Sequence, residues 1–374
     1  LVGGSADLDP SNVTSGFAKM VGDFTSQNRA GRNFAYGVRE FPMGAMNNGI
    51  AQHGGLKVFG ATFFVFSDYE RPALRLRSIQ GLPVVSEYTH DSIYVGEDGP
   101  THQPIEHLMA CRAIPNLLVF RPADANEAIV ASKMAFELID RPALVLLTRQ
   151  GLPVFDRNIY PSAKEMYKGG YIMSDCIGEP EVVIIATGSE LWVALESMEI
   201  LKDVKVRVVS LPCWELFDEQ SHIYHQEILG NQSALRVSIE AGITIGWEHY
   251  TGLDGLNIGI DTFGESARGD EVAESGLETR SILRQGIMDE ATGGRPSHLS
   301  TPKTASSIAP VDLTPICLEA LRSHRKHQAE EVLQAGEDYQ DHDLIFATAK
   351  GTSLNDSNIA SRVFHPILKE AKLR

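Results

Sequence analysis

Between residues 30 and 150 the chain alternates short β-rich runs with helical stretches, the pattern of a mostly parallel sheet covered by helices. Leu82–Glu87, Asn116–Phe120 and Ala143–Thr148 predict strands. Between the last two, Asp124-Ala-Asn-Glu127 has the spacing of a capping box and opens an apolar-periodic stretch at Ile129, Met134, Phe136 and Leu138, which predicts a crossover helix. Residues 151–180 carry Gly, Pro and Tyr without sustained periodicity and suit an interdomain connection. A second unit starts with the apolar run from Glu181 to Ser189, which predicts a buried strand feeding a helix over Glu190–Leu201. Val204–Leu211, Leu235–Ile239 and Leu256–Ile260 predict further strands. After Ala267 the pattern dissolves into a charged segment through Leu299, and a new texture begins at Thr301. The fold expected is α/β: two consecutive doubly wound, mostly parallel-sheet domains plus a short, mainly helical tail.

A length of 374 residues agrees with two or three domains, and 43% apolar with 22% charged residues excludes disorder and collagen. The net charge is −16, and it is uneven: residues 301–374 hold 9 basic and 10 acidic side chains, leaving 24 and 39 to the first 300. So acidic a body does not favour nucleic acid as a partner, and an anionic substrate needs local cations. The longest apolar stretch, Leu56 to Phe66, is interrupted by Gly60 and Thr62 and is far short of the roughly 20 residues of a membrane span. Cys111, Cys176, Cys213 and Cys317 are isolated, which predicts reduced, mostly buried thiols in a cytoplasmic protein and no metal site. The chain opens at Leu1 without a signal-peptide pattern and reads as a piece of something longer.

Two loops concentrate the ionisable chemistry. The first is Tyr36-Gly-Val-Arg-Glu40-Phe-Pro-Met-Gly44; the second, Thr89 to Pro104, packs two histidines and three acids into sixteen residues. Loops after the strands of α/β sheets are where such folds bind ligands. Taken alone, Arg39-Glu40 is an ordinary solvated pair, the spacing of Phe63, Phe66 and Tyr69 is ordinary core, and Asp7 could cap a turn.

In order and spacing, Gly-Gly-Ser-Ala-Asp7-Leu-Asp-Pro-Ser11-Asn, Tyr-Gly-Val-Arg-Glu40-Phe, Thr62-Phe63, Thr-His90-Asp-Ser, Gly-Glu-Asp98-Gly-Pro-Thr-His102-Gln-Pro, Arg-Pro-Ala-Asp124, Thr-Arg149-Gln, Ala-Thr-Gly-Ser189 and Asp-Thr-Phe-Gly264 resemble the transketolase family. The resemblance covers residues 1 to 267. It implies a pyrimidine-binding domain over 1–157, a linker over 158–180 and a shortened C-terminal domain over 181–267. It also implies two-carbon ketol transfer between sugar phosphates through thiamine diphosphate. Glu40 and His102 are then the catalytic candidates. Asp7, Glu40, Phe63, Phe66 and Tyr69 are the cofactor candidates, with Phe63 as the ring that stacks on the pyrimidine. Ser11, His90, Asp98, His102 and Arg149 are the substrate candidates, Arg149 as the phosphate ligand and Asp98 as the reader of a sugar hydroxyl. The family's Gly-Asp-Gly motif, which grips the diphosphate through Mg or Ca, does not stand in these residues. Only the pyrimidine half of the cofactor is therefore expected here, with the other half supplied across a homodimer or by a partner chain. Deoxyxylulose-phosphate synthase and dihydroxyacetone synthase are sister readings; Thr-His90-Asp-Ser followed by Thr-His102-Gln-Pro speaks for transketolase.

Beyond a junction at 268–300, the segments around Lys303, Ala320 to Glu331, Asp343 to Thr348 and Ser361 to His365 resemble the middle of a phage-type tyrosine recombinase, with Lys303 as its DNA-contacting lysine. The stretch 301–374 lacks that family's catalytic arginine, His-x-x-Arg box and nucleophile, since Tyr339 stands in another context. An inactive or DNA-associated fusion is the alternative this tail implies.

Overall fold

The computed structural model describes residues 1–231, 233–264 and 266, together with the single residues 332 and 336. The expected junction at 268–300, the recombinase-like tail with Lys303 and Tyr339, and Cys317 lie outside the described residues, those two positions apart.

Five strands, β1 (Val2–Ser5), β2 (Val58–Phe63), β3 (Val84–Thr89), β4 (Leu118–Phe120) and β5 (Ala143–Leu147), form one all-parallel sheet in the order β1-β2-β3-β5-β4. A second sheet holds β6 (Tyr171–Ser174), β7 (Val182–Ala186), β8 (Val206–Ser210), β9 (Leu235–Ile239) and β10 (Leu256–Ile258) in the order β10-β9-β7-β8-β6. Its pairs are parallel except β6, which runs antiparallel to β8. The α/β expectation holds for both sheets. Strand β6 lies inside the stretch read as a connection, where four residues at a sheet edge leave no periodic signal.

The helices that position the chemistry are α1 (Ser15–Val21), α2 (Glu40–His53), α3 (Ser67–Gln80), α4 (His107–Arg112), α5 (Ala125–Glu137) and α6 (Glu190–Ile200). At the start of α5 the Asp124 carboxylate accepts from Glu127 N at 2.9 Å, and the Glu127 carboxylate accepts from Ala123 N at 2.8 Å, so the capping signal reads true. Of the apolar positions read in that stretch, Met134 is buried and Phe136 and Leu138 are partly buried against the core, but Ile129 is not. Ile129 is 70% exposed, and the buried stripe is Glu127, Ala131, Met134 and Ala135. At 100° per residue, position 129 lies about 200° from position 127, on the solvent side.

Strand β2, interrupted in sequence by Gly60, is wholly buried. A Cβ at Gly60 would lie 2.7 Å from Asn47 Nδ2, so glycine here is what lets α2 close onto the sheet. Phe59, Val85 and Phe120 of the first sheet share one apolar cluster with Val182, Ile184, Val208 and Val237 of the second. Among the described residues no helix is long and apolar enough to cross a membrane.

Candidate active-site edge

In a parallel sheet all strands end on one side, and a crossover helix starts there too. The loops after β1, β2, β3 and β5 and the first turn of α2 therefore share one edge of the first lobe. That edge carries every candidate named from the sequence.

A buried polar thread fastens it. Asn12 Nδ2 donates to Ser5 Oγ at 3.0 Å, and Thr89 Oγ1 donates to Asn12 Oδ1 at 2.8 Å. The Thr89 hydroxyl has one proton, so at 2.9 Å it accepts from Nδ1–H of His90, leaving Nε2 as the nitrogen free to titrate. His90 is 9% exposed and sits at φ 61, a left-handed conformation that costs a non-glycine residue about 1–3 kcal/mol and persists only where its surroundings fix it. Burial first, and then the Arg149 cation, lower the His90 pKa against the opposing pull of Asp98 and Asp91. His102 lowers it further, so one field couples His90, Asp98, His102 and Arg149, and His90 is neutral at pH 7.

The rings form a row. Phe63 and Phe66 are parallel within 7° at 5.8 Å, Tyr69 follows Phe66 at 6.0 Å, and the ring of His102 meets Phe66 edge-on at 5.6 Å. Phe63 also has His90 stacked on it at 3.7 Å and is buried, whereas Phe66 is half-buried and Tyr69 is 64% exposed. The rings with open surface are thus Phe66 and Tyr69, and Phe63 backs them.

Glu40 opens α2, where the helix dipole favours an acid. It is 7% exposed, and among the described residues its carboxylate has no hydrogen bond or ion pair. The surface pair with Arg39 does not form; Arg39 Nη1 donates to Tyr36 O at 3.0 Å. Asp7, Ser11, Asp98 and Arg149 are exposed, and Asp7 has a left-handed φ of 63. Ser11 adjoins the thread through Asn12, and among the described residues neither Asp7 nor Ser11 bonds directly to the other candidates.

Sequence reasoning missed what lies beneath. Asp91 Oδ2 accepts from Nε of the fully buried Arg121 at 2.8 Å, and Arg121 Nη1 pairs with Glu190 and donates to Thr187 O and Oγ1, both at 3.0 Å. Thr187 Oγ1 donates to Glu240, which holds Arg112 by two bonds of 2.8 and 2.7 Å. Burial alone would lower the Arg121 pKa; Glu190 and Asp91 outweigh it and keep the guanidinium charged. The network fills the ends of β7 and β9, the crevice where a doubly wound sheet takes its ligand. Gly188 is required there, because a Cβ would lie 2.7 Å from Arg121 Cζ. Arg121, Asp91 and Thr187 stand in the segments Arg-Pro-Ala-Asp124, Thr-His90-Asp-Ser and Ala-Thr-Gly-Ser189, but nothing within those segments pairs them.

Other groupings fall elsewhere. Asp68, Glu106 and His107 place three donors within 4.8 Å, but Asp68 meets Nε2 of the ring at 3.2 Å and Glu106 faces Nδ1 at 3.7 Å. A cavity of about 1020 Å³ lined by Glu181, Asp203, Arg236 and Asp254 touches none of the candidates.

The family described as "Transketolase, pyrimidine binding domain" matches residues 1–154, and "Transketolase-like TK C-terminal domain" matches residues 169–276. The chain is 48% identical over 289 residues to a transketolase of Geobacillus stearothermophilus, covering 76% of this chain and 43% of that protein. To the transketolase of Bacillus subtilis (strain 168) it is 50% identical over 288 residues, with 76% and 43% covered. The structure of a transketolase from Leishmania mexicana superposes with a TM-score of 0.73 at 37% identity, over 82% of this chain and 45% of that one. The chain thus spans less than half the length of these relatives.

Proposed function

From two stretches that belong to the transketolase family, we propose that this protein takes part in the transfer of a two-carbon ketol unit between sugar phosphates, with the pyrimidine half of thiamine diphosphate held on its first lobe. The observation that carries the reading is Glu40, a 7% exposed residue at the start of α2 whose carboxylate has no hydrogen bond or ion pair among the described residues. An acid held at a helix start with its acceptors unused is available to a ligand's donor.

When bound, thiamine diphosphate would supply the nucleophilic carbon and the electron sink. Glu40 would hold a proton against a ring nitrogen of the pyrimidine, while Phe66 and Tyr69 offer the open ring surface beside it and Asp7 an acidic contact. His102 would donate to the substrate carbonyl oxygen or relay its proton, and Asp98 would bind a sugar hydroxyl. Arg149, Ser11 and His90 would take the phosphate. Because Nδ1–H of His90 is spent on Thr89, Nε2 can donate to a phosphate oxygen only after protonation, so phosphate affinity would rise as pH falls through the His90 pKa.

The diphosphate and its Mg or Ca ion would be held by residues outside these 374. Between Glu40 and His53 helix α2 carries no charged side chain, and Phe41, Met46 and the preceding Val38 are exposed, a face suited to a covering partner domain or second copy. The free Cys111, Cys176 and Cys213 suit the reducing cytoplasm.

The test is a pentose-phosphate assay of the chain complemented with a transketolase diphosphate-binding domain. Glu40→Gln should lower turnover about 10²- to 10⁴-fold with the melting temperature unchanged. Undiminished turnover in that variant would sink the assignment, and turnover only with pyruvate plus glyceraldehyde phosphate would favour the synthase reading. The chain alone should bind thiamine diphosphate weakly without turnover; tight calorimetric binding with catalysis would refute this division of labour.

A further inference from the structure

The second lobe contributes none of the side chains assigned to the edge, yet it reaches the most constrained of them. His90 lies between Thr89, the end of β3, and Asp91, which is 2% exposed and anchored on Arg121. Arg121 is fixed on both sides by its backbone, since its N donates to Pro212 O at 2.8 Å and its O accepts from Gly188 N at 3.0 Å. Glu190, on the first turn of α6, is fixed in turn: its carboxylate accepts from Ala241 N at 2.9 Å and from Ser189 Oγ at 2.6 Å. Each grip on the guanidinium beyond Asp91 comes from the second lobe: Thr187 and Glu190.

We infer that Arg121 and Glu190 are positioning residues, through which the second lobe holds Asp91, and with it the left-handed turn that aims the His90 imidazole at a bound phosphate group. The inference rests on reading His90 as a phosphate contact. A non-glycine residue at positive φ keeps that conformation only while its flanks are held. Thr89 holds one flank from within its own sheet; the Asp91–Arg121–Glu190 chain holds the other. Glu127 gives the comparison a control. It too is buried and bridges the lobes, accepting from Tyr171 Oη at 2.6 Å and Ser210 Oγ at 2.9 Å, but it has no bond to the His90 turn.

The experiment is NMR of the full chain labelled at histidine Cε1, titrated with pH and with orthophosphate, in the wild type, Glu190→Gln and Glu127→Gln. Glutamine keeps an acceptor for Ala241 N but removes the charge that grips Arg121. The expected result is that Glu190→Gln moves the His90 midpoint up toward the free imidazole value of about 6.5 and, at a pH below both midpoints where His90 is protonated in either chain, weakens orthophosphate about tenfold, while Glu127→Gln moves neither. Should Glu190→Gln fail to fold, Thr187→Val, which removes one acceptor from Arg121, takes its place. An unmoved His90 midpoint, or an equal movement in Glu127→Gln, overturns the anchoring. A midpoint that moves in Glu190→Gln while the wild type binds no orthophosphate upholds the anchoring and overturns the phosphate role instead.

Discussion

The two sheets end in opposite ways, and neighbouring arginines of one sheet show the difference. Arg121 follows β4 and Arg149 closely follows β5, the strand paired with it. Arg121 is fully buried between Asp91, Glu190 and Thr187, plugging the ligand crevice of the second sheet, while Arg149 is exposed at the open edge of the first. Similar chemistry at similar positions thus serves structure in one place and stands exposed, without a carboxylate partner among the described residues, in the other. What separates them is the supply of carboxylates. A buried cation survives only with its charge matched, and an exposed one keeps its charge free for a ligand.

Arg121→Met should have the largest effect. It fills the space but leaves Asp91 and Glu190 buried without their cation, an arrangement that typically costs about 3–5 kcal/mol. Urea unfolding should show that loss; a change of less than about 1 kcal/mol would mean that the plug is not what joins the lobes.

A carboxylate without such a match gives the next effect. Glu87 on β3 has no partner among the described residues, and burial pushes its pKa from 4.5 up to about 7. The folded chain therefore holds a proton there that the unfolded chain releases near 4.5, so folding takes up a proton between those values. The stability contributed by protonated Glu87 is full below about 4.5, falls as pH rises to about 7 and is level above it. At 1.36 kcal/mol per unit the span is at most about 3 kcal/mol. Subtracting the stability curve of Glu87→Gln from that of the wild type should reveal this slope, and parallel curves would show that water or an unseen donor already satisfies the carboxyl.

Much of this was legible in the sequence where one element explains itself. Val182–Ala186 reads as a buried strand because every residue in it is apolar, and Asp124 reads as a cap because its partner is three residues away. The loop after β3 announces itself by two histidines and three acids in sixteen residues. Strands β1, β2 and β6 went unmarked: Gly3-Gly4 in β1 and Gly60 in β2 break the apolar runs, and β6 lies at a sheet edge in a stretch rich in Gly, Pro and Tyr. Arg121, just after β4, and Glu190, on α6, stand sixty-nine residues apart in different lobes, so nothing local marks either as half of a pair. Phe63 is the intermediate case. Its place in the aromatic row was readable, but that His90 stacks on it depends on β2 and β3 being neighbours.

The smallest effect on stability should come from the other arginine, and there the comparison is at its sharpest. Arg149→Ala removes an exposed cation with no carboxylate partner among the described residues, so unfolding free energy should stay within about 0.5 kcal/mol of the wild type. The same substitution removes a positive charge that lowers the His90 pKa, so the histidine midpoint should move up. Phosphate binding is then pulled two ways: the lost guanidinium weakens it, while a His90 that protonates more readily strengthens it. A guanidinium paired with an anion makes two charge-assisted hydrogen bonds where an imidazolium makes one, so the loss should win, by about tenfold in affinity at pH 7. Lowering the pH to 6 should recover part of that loss as His90 charges. If instead Arg149→Ala destabilised the chain as much as Arg121→Met, the open edge would be a second structural plug, and the contrast between the two sheets would disappear.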